Sequence, residues 1–389
     1  MTSTINEREV TLAVPPSDHS PQVNSRNPQD FPVPHGREEE WRFTPRDVFS
    51  SLLAGDGEGT GIVEVDAPAG VVVTQVATDS EFAAQLPMPI DRLSALAAAR
   101  ATGITRVEIP QSEVASDAVT VRFEQVYDTD WFNVVIEVAA CASARVVIEG
   151  PRTGTSAAKI DVLVGAGAQL EIVTTHLGEP DCVHNAHIAF RLGRDSTVRS
   201  LQASIGGRGT RVVETVQYLG TGGDAHLAGV FFGESGEHIE HRLLVDHSQP
   251  HCRSNVIYKG ALDGHTARSV WVGDVIIRAE AAGTQTYEIN RNLLLSEGAR
   301  ADSVPNLEIE TGNVSGAGHA SATGRFDDEQ LFYLQARGID VETARRLVVR
   351  GFFDDVLRSL TIESASAQIV SAIESRLTTT DAITEGDNE

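Results

Sequence analysis

Cysteine is scarce in this chain, with three among 389 residues, at positions 141, 182 and 252. Three scattered thiols make no disulfide framework and point to a reducing compartment. Long apolar runs are missing too. No stretch of about eighteen apolar residues occurs, so no membrane span is expected. The opening M-T-S-T-I-N-E-R-E-V lacks the basic and apolar segments of a secretory leader. Both features lead us to expect a cytoplasmic protein. Basic residues are in deficit, 31 Lys and Arg against 55 Asp and Glu, for a formal charge of −24. That balance argues against wrapping nucleic acid, which needs clustered positive charge. There is no G-x-x-x-x-G-K-[ST] loop, no G-x-G-x-x-G between a strand and a helix, and no G-x-S-x-G elbow. Any ATP chemistry therefore belongs to a partner.

What is present divides the chain into four parts. Residues 1–34 are polar and proline-rich, and too little apolar surface is available there to offset ordering entropy, so a disordered tail is expected. Residues 35–103 read as a helical and mixed region. Within it, E-E-W-R-F-T-P places Thr44 as an N-cap and Pro45 at a first helical position, with Phe49, Leu52 and Leu53 on one face and Trp41 packing beside it. A strand over 70–75 and an alanine-rich helix over 91–100 follow. Residues 104–322 are dominated by short β-branched runs such as Val119–Phe123, Val134–Val138 and Ile160–Val164. Between them recurs a turn of Gly, a small or polar residue, then Ala or Ser, at 165–168, 193–196, 220–225, 260–267 and 298–299. The first three are spaced by roughly 28 residues, which is repeat-like. A parallel β-helix, a solenoid of stacked coils, accounts for this better than a Greek-key sandwich, because small residues fit where coils stack closely.

From Asp327 the apolar residues recur at helical spacing, and residues 323–389 read as a C-terminal helical domain. Asp327 is placed as an N-cap with Gln330 in capping-box position, Gly338 ends the first helix and Asp340 starts the next. Leu331, Phe332 and Leu334 mark one face. Ala344, Leu347 and Val348 mark the second helix, read as stopping near Gly351. Phe352, Phe353, Val356, Leu357 and Leu360 form a third group, and Ile369, Ile373 and Leu377 a fourth.

The stretch from Asn290 to Arg350 also resembles the C-terminal signature of the SufB/SufD family, the scaffold proteins of the SUF iron–sulfur cluster assembly system. The residues that carry the likeness are Asn306-Leu307-Glu308-Ile309, Gly324-Arg325-Phe326-Asp327-Asp328-Glu329-Gln330, Leu331-Phe332-Tyr333-Leu334 and Arg337-Gly338-Ile339. The acidic-Trp-Arg-aromatic-Thr-Pro segment is a second, weaker point. The resemblance implies a right-handed parallel β-helix and a non-enzymatic scaffold subunit with a role in cluster assembly and, by extension, iron acquisition. It implies a SufB-like subunit and a SufC-like ATPase as partners, with a homodimer compatible with the isolated chain. It also implies a transient iron–sulfur cluster shared with the SufB partner; no residue can be assigned to a flavin. Family members carry a Cys-x-His segment just before the Gly-led run. The histidine falls on His319, taken as metal and cofactor ligand, but the cysteine position is Ala317. The chain therefore resembles the SufD branch, which contributes the histidine. The coil Leu293–Ile309, with Leu307, is expected to add to the equivalent coil of the partner. Leu331, Phe332, Tyr333, Leu334, Arg337, Leu347, Phe352 and Phe353 are expected to meet partners, the helical tail recruiting the ATPase while the β region folds without it.

Other histidines cluster with thiols. Cys182-Val-His184-Asn-Ala-His187, His247 with His251 and Cys252, and the pair His238 and His241 have ligand types that suit zinc or iron–sulfur sites. Strand alternation splits each group, however, since successive residues point to opposite faces. Satisfied core or surface histidines are the alternative. A different class of function, a β-helix carbohydrate-active enzyme such as a polysaccharide lyase, also fits a solenoid. Such enzymes are generally secreted and lack the L-F-Y-L-Q-A-R-G-I segment.

Overall fold

The computed structural model describes residues 23–386 apart from 58 and 327, with the side chains of residues 327–331 and 378–386 also outside the description. Most of the expected tail, the expected N-cap Asp327, and the side chains of Gln330 and Leu331 thus lie outside the described residues.

The β region is a parallel solenoid of two facing sheets. One sheet runs, in spatial order, through Arg300–Ile309, Arg268–Ile277, His238–His247, Gly209–Tyr218, Val183–Leu192, Thr155–Val164, Thr129–Val138, Ile104–Ile109 and Val72–Val76. The other runs through Val314–Arg325, Thr284–Leu294, Arg253–Leu262, Asp224–Gly233, Thr197–Gly206, Gln169–Gly178, Ser143–Glu149, Val119–Glu124 and Ile62–Asp66. The chain alternates between sheets, so each strand pairs with the one a full coil away. Ser156 and His184 are register partners across a coil of 28 residues; further on, Arg253 and Gln285 are register partners 32 apart. At the N-terminal end Ile62–Asp66 pairs antiparallel with Val119–Glu124 and Val72–Val76 with Ile104–Ile109, so each sheet begins on an antiparallel strand.

The repeating glycines explain the coil corners. A Cβ on Gly193 would lie 2.8 Å from the Ala166 nitrogen, one on Gly165 2.6 Å from the Ala140 nitrogen, and one on Gly220 2.8 Å from the Arg194 nitrogen. Backbone meets backbone there, so no side chain fits. Gly260 is different from the expected turn. It sits inside the strand Arg253–Leu262, and a Cβ there would overlap the Phe231 ring.

Many strands are buried on both faces, which is why they read as near-continuous apolar runs. Inside, Val134, Ile160, Ile188, Val212, Ile239 and Val275 belong to one core that follows the solenoid axis. Outside, the first sheet is covered by N-terminal segments: a 3-10 turn at Glu39–Trp41, α1 (Ser50–Ala54), α2 (Glu81–Gln85) and α3 (Arg92–Arg100). Trp41, Phe49, Leu52, Leu93 and Leu96 pack on Trp131, Ala157 and Val183. The helix after Trp41 does not begin at Thr44-Pro45. Thr44 is buried and its hydroxyl donates to Glu240 Oε2 at 2.7 Å, so it is not available as a cap, and α1 starts at Ser50. Asp91 and Ser94 make a reciprocal capping box at α3, matching the expected helix. Residues 23–34, expected within the tail, lie against this layer: Arg92 Nη1 donates to the carbonyls of Pro28 and Phe31, each at 3.0 Å.

The second sheet is covered by the C-terminal helices α5 (Val341–Leu357) and α6 (Glu363–Gly386), which follow α4 (Asp328–Gln335). Asp340 caps α5 by accepting from the Thr343 amide. α5 runs through Gly351 instead of stopping there, because the residues beyond it, Phe353, Val356 and Leu357, are buried with Ile369 and Ile373 against Val173, Leu201, Val230 and Phe232 of the sheet. That burial outweighs the roughly 1 kcal/mol cost of glycine in a helix.

Candidate functional site

Among the described residues the last strand of each sheet, Arg300–Ile309 and Val314–Arg325, has a neighbour on one side only. Pro305 lies in the first of these, a residue that suits an edge strand because it donates nothing to a ladder. The solenoid therefore ends in two unpaired strand edges, and His319 is on the second.

Register decides what His319 faces. It lies opposite Glu288, with Ala317 opposite Thr286 and Ser321 opposite Asn290. Ala317 packs against the inner core, so the period of two turns His319 toward the solenoid interior as well. Its ring is at the mouth, 40 % exposed, with Nδ1 3.8 Å from Glu288 Oε1. That separation is too long for a hydrogen bond. Glu288 is buried, and neither carboxyl oxygen has a hydrogen-bond partner among the described residues. Burial, helped by the nearby Asp274 carboxylate, pushes its carboxyl up to about 8, so it holds a proton at neutral pH. The rest of the mouth is polar. Asn292 Nδ2 donates to Asn290 Oδ1 at 2.7 Å and to Ser303 Oγ at 3.1 Å, and Ser303 donates to Asn290 Oδ1 at 2.6 Å.

The partner residues expected from the sequence separate by exposure. Leu307 is half-buried and packs on the inner core of the terminal coil. Phe332, Tyr333 and Leu347 are exposed, at 72, 56 and 47 %, and Arg337 is exposed with its guanidinium 4.5 Å from the Tyr333 ring centre. Leu334 is half-buried, and Phe352 packs at the edge of the helix–sheet core. Phe353 points the other way. It is 1 % exposed and is used to hold α5 on the second sheet, so it offers nothing to another chain.

The remaining histidine–thiol groups do not converge. Cys182 precedes its strand, with Sγ 3.6 Å from the Pro151 carbonyl. His184 faces inward, 2.7 Å from Ser156 Oγ and with its ring tilted against that of His176 at 4.8 Å, whereas His187 faces the outer layer near Thr215. His247 bonds Ser254 inside, and His251 occupies a turn with φ of 59°. His238 contacts Glu240 on the outer side, while His241 lies between Phe231 and Tyr258 within the core. Burial drives His176 and His247 down to about 4 and the Cys182 thiol up to about 12, leaving neutral rings and a protonated thiol. Among the described residues no group of three or more His, Cys, Asp or Glu is arranged to hold a metal ion.

Sequence reasoning missed Glu288 and the polar interior behind it, where Tyr258, Ser200 and Gln202 hydrogen-bond to Glu214. The available signal was a charged residue at an inward position of T-Y-E-I-N-R-N, legible only once the register is known.

The family profile described as SUF system FeS cluster assembly, SufBD core domain, matches residues 125–352. An iron–sulfur cluster assembly SufBD family protein of Mycobacterium tuberculosis is 43% identical over 363 residues, covering 90% of this chain and 91% of that protein. The iron–sulfur cluster assembly protein SufD of Bacillus subtilis is 30% identical over 304 residues, 74% of this chain and 67% of that protein. SufD of Escherichia coli is 28% identical over 220 residues, 57% of this chain and 52% of that protein.

Proposed function

Because the chain belongs to the SufBD family of the SUF iron–sulfur cluster assembly system, we propose that it is a SufD-type, non-enzymatic scaffold subunit working in the cytoplasm. It pairs with a SufB-like subunit through the open end of its solenoid. The observation that carries this is the half-exposed His319, facing inward on a strand whose outer edge has no neighbour among the described residues. A second solenoid ending in the same way can extend both sheets, since unpaired strand edges supply the donors and acceptors. A ring at such a junction can give one imidazole nitrogen to a nascent cluster, the cargo, while the partner supplies thiolates. Ala317 on the same face supports this division, because it removes the one thiolate that the family pattern would place beside His319. The exposed Phe332, Tyr333 and Leu347 are the surface we assign to a SufC-like ATPase, aromatic anchors being frequent at such contacts. The polysaccharide-lyase reading is set aside on family membership.

The test is co-expression of the His319→Ala chain with its SufB-type partner, then anaerobic reconstitution. The expected result is a complex that assembles normally but has lost visible-range absorbance, iron and sulfide. His319→Cys should recover part of each. Normal cluster content in the alanine variant would overturn the ligand role.

A further inference from the structure

A second site lies on the opposite flank of the first sheet, away from the mouth. Asn133, Lys159 and Asp161 project outward from two neighbouring strands, Asn133 and Lys159 being register partners. Together with Arg26, Leu86 and Ala98 they line a cavity of about 180 Å³ beneath α2 and α3. The chain contains two lysines in 389 residues, and one of them is buried here at 1 % exposure. Its ammonium has three donors, and among the described residues only Asp161 accepts from it.

The surrounding charge does not balance. Arg26 Nη2 donates only to backbone carbonyls, those of Ala84 at 3.1 Å and Leu86 at 2.7 Å. Arg191, close enough to act electrostatically on Lys159 and Asp161, donates through Nη1 to the Gln85 carbonyl, and its Nε has no partner among the described residues. Among the described residues three cations thus face one buried carboxylate, with Asp79 only at the exposed rim. This happens in a protein whose net charge is −24. Asn133 is itself buried, and its Oδ1 is also without a partner among the described residues.

We propose that this cavity binds a small oxyanion, of carboxylate or phosphate type, that also carries a hydrogen-bond donor. The anion meets the unused Lys159 donors and the two guanidinium charges, and its donor satisfies Asn133 Oδ1. Burial lowers the Lys159 ammonium and raises the Asp161 carboxyl, so a charged pair here is costly on its own, and a second negative charge offsets that cost. Size limits the ligand. The space of about 180 Å³ suits inorganic phosphate or a four-carbon hydroxydicarboxylate.

The experiment is isothermal titration calorimetry of the full chain with inorganic phosphate, with malate, and with glycerol as a neutral control. At least one of the two anions is expected to saturate a single site per chain, and glycerol to give no saturable heat. Phosphate without malate, or malate without phosphate, identifies the oxyanion. Lys159→Met should weaken binding by about tenfold or more, the size of a lost charge-assisted hydrogen bond. Ala98→Leu fills the cavity and leaves every charge in place, and should abolish binding in a protein with normal circular dichroism and an unchanged urea midpoint. Arg26→Gln, at a half-buried position, replaces Lys159→Met if that variant does not fold. Absence of saturable binding for both anions, or unchanged affinity in folded Ala98→Leu, overturns the proposal.

Discussion

At the scale of single residues, Glu288 decides how the mouth of the solenoid behaves. Its carboxyl titrates near 8 in the folded protein against 4.5 for the free group. Between those values the unfolded chain has released a proton that the folded chain still holds, so stability falls as pH rises from about 4.5 to 8 and is level beyond. Glu288→Gln keeps the shape and removes the titration. Its urea midpoint should therefore gain on the wild type steadily from pH 5 to pH 8 and run parallel above that. A constant offset across the range would mean the carboxyl is ionised in the folded state. His319, on the same face, should leave the midpoint within about 0.5 kcal/mol when changed to alanine, as expected for a half-exposed side chain with no hydrogen bond.

At the scale of elements, the C-terminal helices show where the sequence was legible and where it was not. The start of α5 and the apolar stripe Ile369, Ile373 and Leu377 of α6 could be read from helical spacing, whereas the run of α5 through Gly351 to Leu357 could not. Their destination could not either, because an apolar stripe does not say whether it meets its own chain or another. Phe353 and Phe332 look alike in sequence, yet one is buried on the second sheet and the other is exposed. The solenoid was legible from turn spacing because backbone contact at Gly165, Gly193 and Gly220 forces small residues. Register was not legible, and Glu288 was missed with it. Docking of α5 and α6 is also fixed by ion pairs, Arg376 to Glu234 and Glu237 and Lys259 to Asp355. Removal of residues 341–389 should consequently expose Val173, Leu201, Val230 and Phe232 and leave an aggregating or destabilised β region, against the expectation that it folds alone. Phe353→Ala should cost about 3–5 kcal/mol. A double change of Phe332 and Leu347 to serine should leave the urea midpoint unaltered and abolish retention of the ATPase in a pull-down. Retention by that variant would move the ATPase surface elsewhere.

At the scale of the whole molecule, folding encloses ionisable groups of both kinds, and their opposed titrations set a stability maximum. His176 and His247 fall to about 4 and His241 to about 3, against 6.5 when free, all through loss of solvent; His184 and His187 are lowered well below it. Below pH 6.5 the unfolded chain binds protons at these rings that the folded chain refuses, so stability rises with pH up to that point. Glu214, raised to about 7 by burial, and Glu288 act in the reverse sense, and Glu237 and Asp161 are displaced in their direction. On the acid side of pH 6.5 the five histidines outnumber the raised carboxyls, so stability should rise with pH there. Above 6.5 the histidines no longer contribute, while Glu214 and Glu288 continue to destabilise until they ionise. The urea-derived unfolding free energy should peak close to neutral pH, fall steeply on the acid side and decline more gently toward pH 8. Replacing His241, which is packed between Phe231 and Tyr258, with glutamine should flatten the acid limb by about one proton's worth of slope. An acid limb unchanged in that variant would show that water reaches the solenoid interior and keeps the buried ring near its ordinary value.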